Sequence, residues 1–449
     1  MDSAAELTRR PKPGLRTWLD QPVDASSVAI FRIAFGIAMV VLAGRFFTHG
    51  WIAADYLVPR HFFPYWGFGF VRPLPGPWMY VLYGLMGCSA ALIALGFSYR
   101  PAAIVFALTF AWGHFSDKSN YLNHYYLISL ISIWLVVLPL DREGSLRVRV
   151  RPIDRRSYIR RWMLLVLQVQ IGLVYVFGGI AKLGSDWLFR AEPLRIWLMA
   201  NIELPVLGRY FQERWAAYAF SWCGLGFDLC IVPLLCWRRT RVPAYVVVLF
   251  FHTMTGLLFQ IGMFPVVMSI GATLFFDPAW ARRWLGRPTD EIAGGSVAWR
   301  VVPLGAYVVL QVLLPLRHLV YPGNTLWTEE GFRYAWRVML IEKSGTLEYT
   351  VVDAAGHTTH VEPQHYLTPF QTRMASTQPD MVLQLAHLVA DDFAARGLGP
   401  VAVYADARVA FNGRPAAPMI DPRVDLAREH ETLGPKRWIL PAPTSKPYF

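Results

Sequence analysis

Up to residue 315 the chain alternates between long apolar stretches and short polar or basic loops, and beyond that point the pattern changes. A helix needs about 20 apolar residues to cross the hydrocarbon core of a bilayer. By that measure the stretches near 27–47, 78–97, 101–116, 121–140, 162–182, 215–236, 242–260, 262–277 and 297–315 predict nine spans. The third and eighth are short for a straight crossing, so tilting, kinking or a partly re-entrant path is expected there. Residues 316–449 instead show polar alternation broken by Pro and Gly. Strands are predicted at Tyr334–Glu342, Leu347–Asp353 and Val401–Phe411. One helix is well marked: Ser376 or Thr377 as its cap, Pro379 in its first turn, Val382, Leu385, Leu388 and Phe393 at helical spacing, and Gly397 as its stop. The expected fold is a polytopic α-helical membrane protein of about nine transmembrane helices, followed by a β-rich, sandwich-like extracytoplasmic domain. Its parts are a cytoplasmic segment (1–26), a helical catalytic domain (27–315) and the peptide-binding soluble domain (316–449).

Composition sharpens this picture. Of 449 residues, 55% are hydrophobic and 16% charged, with a mean hydropathy of +0.33, whereas a soluble chain carries about 25% charge. A string of soluble domains is thereby excluded. The net charge of +12 would suggest a nucleic-acid partner in a soluble protein, but the basic residues sit between the apolar segments. Arg9, Arg10, Lys12 and Arg16 precede the first span, and the run from Arg142 to Arg161 precedes the fifth. Arg238, Arg239 and Arg241 follow the sixth, and Arg282, Arg283, Arg287 and Arg300 lie between the eighth and ninth. Nine spans put all four clusters on one side, which the positive-inside rule makes the cytoplasm. Removing one span from the middle would split them between both faces. Residues 1–26 lack the short apolar core of a signal peptide, so the first span is expected to insert the chain. Cys88, Cys223, Cys230 and Cys236 all fall within apolar segments and read as small buried hydrophobes.

Ionisable groups near a membrane are costly, at least about 2.5–3.5 kcal/mol at mid-bilayer, and so point to function. Three clusters stand out: Asp117-Lys118 through Asn123-His124, Gly178-Gly179 through Lys182 to Asp186-Trp187, and Phe251-His252 through Phe259 to Pro265. The topology brings all three to the outer interface. Lys182 reads either as a snorkelling interfacial lysine or as an amine whose apolar neighbours Ala181 and Leu183 favour its neutral, basic form. Asp186, four residues on, is a potential partner for it. His124 and His252 read either as structural hydrogen-bonding residues or, with Asn123, as a set suited to quinone oxygens. No Cys, His or carboxylate set has metal-ligand spacing, and His357 with His360 lies in a polar turn expected to be solvent-exposed. Phosphate-binding loops, nucleophile elbows and dinucleotide fingerprints are absent from the sequence, so neither ATP, NAD nor biotin chemistry is expected.

Together these clusters resemble the vitamin K-dependent γ-glutamyl carboxylases, bacterial-type HTTM-domain relatives included. The resemblance also takes in Phe31-Arg32-Ile33, Arg72-Pro-Leu-Pro, Phe227-Asp228-Leu, Tyr334-Ala-Trp336, Asn412-Gly-Arg414 and Ile420-Asp421-Pro-Arg423. It implies a membrane enzyme that oxidises a reduced naphthoquinone, vitamin K or menaquinol, with O2. The strong base so formed would carboxylate glutamate in a polypeptide with CO2, leaving γ-carboxyglutamate and quinone epoxide. Lys182 matches the family's catalytic base, His124 and Asn123 match residues on the quinone oxygens, and His252 matches a histidine of the same pocket. Tyr334 and Trp336 are candidates for peptide contact. Ala181 and Arg337 depart from the animal enzymes, which carry a lysine and an acid there. The resemblance implies no metal, no nucleic acid, and a location in a bacterial inner membrane. The rival readings are a quinol epoxidase or oxidase without carboxylation, and a non-enzymatic membrane scaffold or lipid carrier.

Overall fold

The computed structural model describes residues 14–448; Arg9, Arg10 and Lys12 of the first basic cluster lie outside them. Among the described residues, nine helices occupy the nine predicted apolar stretches. They are α1 (Ser26–Thr48), α2 (Trp78–Leu95), α3 (Tyr99–Phe115), α4 (Asn123–Val137), α5 (Arg161–Ala181), α6 (Arg214–Cys236), α7 (Arg241–Leu258), α8 (Phe264–Ala272) and α9 (Val301–Leu316). Six of these regions are long and apolar enough to cross a membrane; α3, α4 and α8 fall short of that length, so length and composition alone single out six crossings and leave the count of nine unconfirmed. Helices α1 to α4 pack in sequence, α5 packs on α6, and α8 joins the two groups by touching α1 and α5. Close approach is built in by glycine. A Cβ at Gly36 would stand 2.7 Å from the Ala94 backbone, and one at Gly179 would stand 2.6 Å from Leu229. Arg32, fully buried in α1, donates to the carbonyls of Ile93, Ala94 and Gly144, two of them at the C-terminal end of α2, where the helix dipole favours a cation.

A small sheet closes one end of the bundle. Strands β1 (Pro22–Asp24) and β2 (Tyr158–Arg160) are antiparallel, and β2 runs parallel to β3 (Ile292–Ala293). Arg282 ties the same three loops together by donating to Asp24 at 2.6 Å and to Glu143 at 2.8 Å. Three of the four basic clusters therefore share one face. From that face α5 runs 21 residues, about 30 Å, to Lys182 at the other end.

The C-terminal region packs over that far end. It contains β4 (Lys343–Val352), β5 (Thr358–Val361), α10 (Pro369–Ala375), α11 (Pro379–Ala395), β6 (Ala402–Phe411) and β7 (Ala417–Pro418). The strands form a single antiparallel sheet in the order β5-β4-β6-β7, which corrects the expected sandwich: α11 takes the place of a second sheet. Alternate residues Leu347, Tyr349 and Val351 of β4, with Val403, Ala405 and Ala407 of β6, are buried in one core with Met381, Leu385 and Val389 of α11. The Tyr349 hydroxyl donates to the Val382 carbonyl at 2.7 Å and pins helix to sheet. Gly397, at φ +79°, ends α11 as predicted. Its cap is Gln378, not Ser376 or Thr377, whose hydroxyls bond back to Thr372 and Met374.

Two further expectations are corrected. No strand forms over Tyr334–Glu342; the backbone there enters the left-handed region at Tyr334, Trp336 and Met339, with φ of 61°, 55° and 55°. Its polar groups bond to the helical part instead of to a neighbouring strand, since Tyr334 N–H donates to the Tyr121 hydroxyl and the Arg337 carbonyl accepts from Asn123. The four cysteines are not buried: all are free and exposed on the outer surfaces of α2 and α6.

Candidate active site at the outer end of the fifth helix

The helical repeat of α5 puts Tyr175, Gly178 and Lys182 on one face, at i, i+3 and i+7. Opposite them stands Asp228, the single acidic residue of α6. Lys182 caps the C-terminus of α5, and its Nζ donates to Asp228 Oδ2 at 2.6 Å and to the Gly178 carbonyl at 3.3 Å. A Cβ at Gly178 would stand 3.4 Å from Asp228 Oδ2, in ordinary contact, so the carboxylate packs directly against this turn of α5. Both charged residues are 7% exposed. The Trp187 ring lies 5.2 Å from Nζ and adds a cation–π contact. That ring is itself fixed, its Nε1 donating to the Ser221 carbonyl at 2.8 Å.

Asp186, the partner considered from the sequence, does not pair with Lys182. It accepts from both terminal nitrogens of Arg414, at 2.8 and 2.6 Å, from Asn412 at 3.2 Å and from Arg190 at 2.9 Å. Burial alone pushes this carboxyl up, but Arg414 and then Asn412 and Arg190 hold it below its ordinary value. The Asn412-Gly-Arg414 motif thus clamps the soluble region to the outer end of α5. Lys118 and Asp380 form a second clamp at 2.8 Å, and Gln371 donates to Asp117 at 3.0 Å.

Lys182, Asp228, Tyr175 and His252 line one cavity of about 80 Å³, whose walls include Trp187, Phe251 and Phe264. The Tyr175 hydroxyl and His252 Nε2 are 2.8 Å apart, while His252 Nδ1 is buried with no partner. Of the residues singled out in the sequence, Lys182 and His252 meet in this cavity. His124 stands outside its lining, against Gly262, and its ring and that of His252 both approach Phe264, at 6.3 and 6.0 Å. Asn123 lies further towards the soluble region, where its carbonyl accepts from Tyr121 and its amide donates to the Arg337 carbonyl. Tyr334 and Trp336 flank the cavity without lining it. Trp336 is fully buried and stacks on Tyr126 at 4.8 Å, while the next residues, Val338 and Met339, form part of the wall. His357 and His360 are exposed and pair with Asp353 and Glu348. Asp228 and Tyr175 were not singled out as site residues. For Asp228 the signal was present, because a lone acid within an apolar span meets the criterion that marked Lys182.

This amine, carboxylate and imidazole, held among aromatic rings under a polar domain, can take a proton from an apolar ligand while water is excluded. The HTTM domain family matches residues 20–280, and the family described as vitamin K-dependent gamma-carboxylase, lumenal domain, matches residues 297–445. The class is therefore that of HTTM-domain membrane proteins carrying a carboxylase lumenal domain. Within it, the chain belongs to the vitamin K-dependent γ-glutamyl carboxylase family. No solved structure matches the chain. The two domains point to a carboxylase-like function that depends on vitamin K, and they imply a membrane setting and a glutamate-containing substrate. The lumenal-domain match also marks the C-terminal region as extracytoplasmic.

Proposed function

We propose that this protein is a γ-glutamyl carboxylase of a bacterial inner membrane, coupling oxidation of a reduced naphthoquinone by O2 to carboxylation of peptidyl glutamate. In this reading residues 27–315 are the catalytic membrane part, crossing nine times with short passes at α3, α4 and α8, and residues 316–449 receive the peptide outside the cytoplasm. The observation that carries the proposal is the buried Lys182–Asp228 pair, held in an aromatic cavity at the outer interface directly beneath the carboxylase-type domain.

The residues present fit a quinol in their chemistry. Aromatic walls suit its rings, and the unpartnered Nδ1 of His252 and the Lys182 amine suit its two oxygens. At about 80 Å³ the cavity is smaller than the roughly 300–1,000 Å³ typical of ligand pockets, so binding requires wall side chains such as Met339 to move. The bound quinol, oxidised by O2, supplies the strong base that removes a proton from glutamate. As Lys182 takes the hydroxyl proton of the quinol it passes its own proton to Asp228 across the 2.6 Å contact, so that the pair gains one proton in all and the ammonium is left facing the quinol anion. Tyr175 fixes the His252 ring through Nε2. His124 and Asn123 act from the neighbouring side of Phe264, Asn123 by holding the 334–339 segment over the site and His124 by bounding the quinone space. Tyr334 and Trp336 shape the route by which the peptide arrives.

The test follows two products in one reaction, labelled CO2 in a glutamate peptide and quinone epoxide, with the purified protein in nanodiscs. Formation of both supports the carboxylase. Epoxide without fixed CO2 would leave the quinol epoxidase in its place.

A further inference from the structure

A second cavity, of about 390 Å³, opens beside the first at the same end of the bundle, and Trp187 is a wall of both. Its floor is apolar, from Phe177, Ile180 and Leu316, while Arg337 and His318 stand on its polar edge. Arg337 is half-buried, its Nε is shielded from solvent with no hydrogen-bond partner, and among the described residues no carboxylate lies at ion-pair distance from it. The neighbouring Arg317 adds positive charge without competing, since its donors are taken by the Leu314 and Arg333 carbonyls. Of the cavity's own carboxyls, Asp186 is bound by Arg414 and Arg190, and Glu192, whose two oxygens are buried without a hydrogen-bond partner, is lifted by burial to about 7, towards its neutral form. A partly desolvated guanidinium without a counter-ion, beside a reaction cavity, is a site for an anion.

We propose that Arg337 binds the side-chain carboxylate of the peptidyl glutamate and so sets the specificity of this enzyme for glutamate. The inference rests on the carboxylase reading and adds to it the residue that reads the substrate. Its chemical reason is charge. When the γ C–H bond breaks, the proton passes to the quinone-derived base and the electron pair stays on a carbon next to an existing carboxylate. That pair then forms the C–C bond to CO2. A second negative charge on one small group is prohibitive unless a cation is already paired with the first, and a guanidinium fork matches both carboxylate oxygens. Glutamine, which carries no charge, would leave Arg337 unpaired and be rejected.

Binding tests this without turnover. A fluorescent glutamate-rich peptide and its glutamine counterpart are titrated, with no quinone present, onto the full chain in zwitterionic nanodiscs. Wild type should prefer the glutamate peptide, and Arg337→Gln should weaken that peptide alone, by about ten- to a hundredfold. Arg337→Lys, which keeps the charge but loses the fork, should fall between the two and decides the matter if Arg337→Gln does not fold. Equal affinity for the two peptides in wild type, or unchanged glutamate affinity in the variants, overturns the proposal. So does Arg337-dependent binding of phosphatidylglycerol nanodiscs in place of peptide, which would assign the site to a lipid phosphate. Failure of the carboxylase reading is seen separately, as intact Arg337-dependent peptide binding with no CO2 fixed.

Discussion

Replacing Asp228 by Asn keeps the shape of the side chain and removes the charge that faces Lys182. At the observed 2.6 Å the pair attracts by about 6 kcal/mol at an effective dielectric of about 20, most of it offset by the loss of hydration on burial. Deleting one member is a different matter, because the other stays buried. The ammonium of Lys182 would keep only the Gly178 carbonyl and the Trp187 ring, both uncharged partners. Such uncompensated charges cost about 3–5 kcal/mol. The apparent melting temperature of Asp228→Asn in detergent should therefore fall by roughly 3–10 °C, and quinone epoxidation should fall by about two to four orders of magnitude through loss of the proton-handling pair. The double variant Lys182→Met with Asp228→Leu should recover the melting temperature and none of the activity, since an apolar pair has no charge to desolvate. Wild-type melting and wild-type turnover in Asp228→Asn would mean that Lys182 works without this carboxylate.

Two other expectations concern the outer face. Asp186→Ala strands the Arg414 guanidinium between membrane and soluble parts, so residues 316–449 should become more sensitive to limited proteolysis, with a stability loss of about 3–5 kcal/mol; an unchanged cleavage rate would remove the clamp from the account. Burial lifts the Glu192 carboxyl from 4.5 to about 7, with Arg195 only partly offsetting it. The folded form therefore holds its proton more tightly than the unfolded form, and the stability this lends is complete below pH 4.5 and lost as pH rises through 7. The difference amounts to about 3 kcal/mol. Melting temperature should rise between pH 8 and pH 5 by a margin that Glu192→Gln abolishes; an identical pH profile in the variant would contradict it.

The helices of the membrane part were legible because each is a long apolar run with basic or polar ends, and α11 because its caps and spacing are local. Their number of crossings was less so: α4 has 15 residues and α8 has 9, and an apolar helix that short satisfies the same pattern whether or not it spans. Exposure of the four cysteines was hidden for a related reason, since hydropathy is the same towards lipid as towards a protein core. The segment from Tyr334 to Leu340 alternates like a strand, yet its backbone partners, Tyr121 and Asn123, lie more than 200 residues earlier in the chain. The partner of Asp186 is equally remote, 228 residues away at Arg414. Lys182 could be singled out from its own neighbourhood, but the acid it meets is fixed by how α6 crosses Gly178 and Gly179, which is a property of packing.

The central claim is that Lys182 takes the first proton, and it is tested by Lys182→Ala alongside wild type in nanodiscs, with labelled CO2 in peptide and quinone epoxide followed together. Wild type should give both products and the variant neither, with the variant still folded and still binding the glutamate peptide through Arg337. Epoxide formed by Lys182→Ala at the wild-type rate would contradict it.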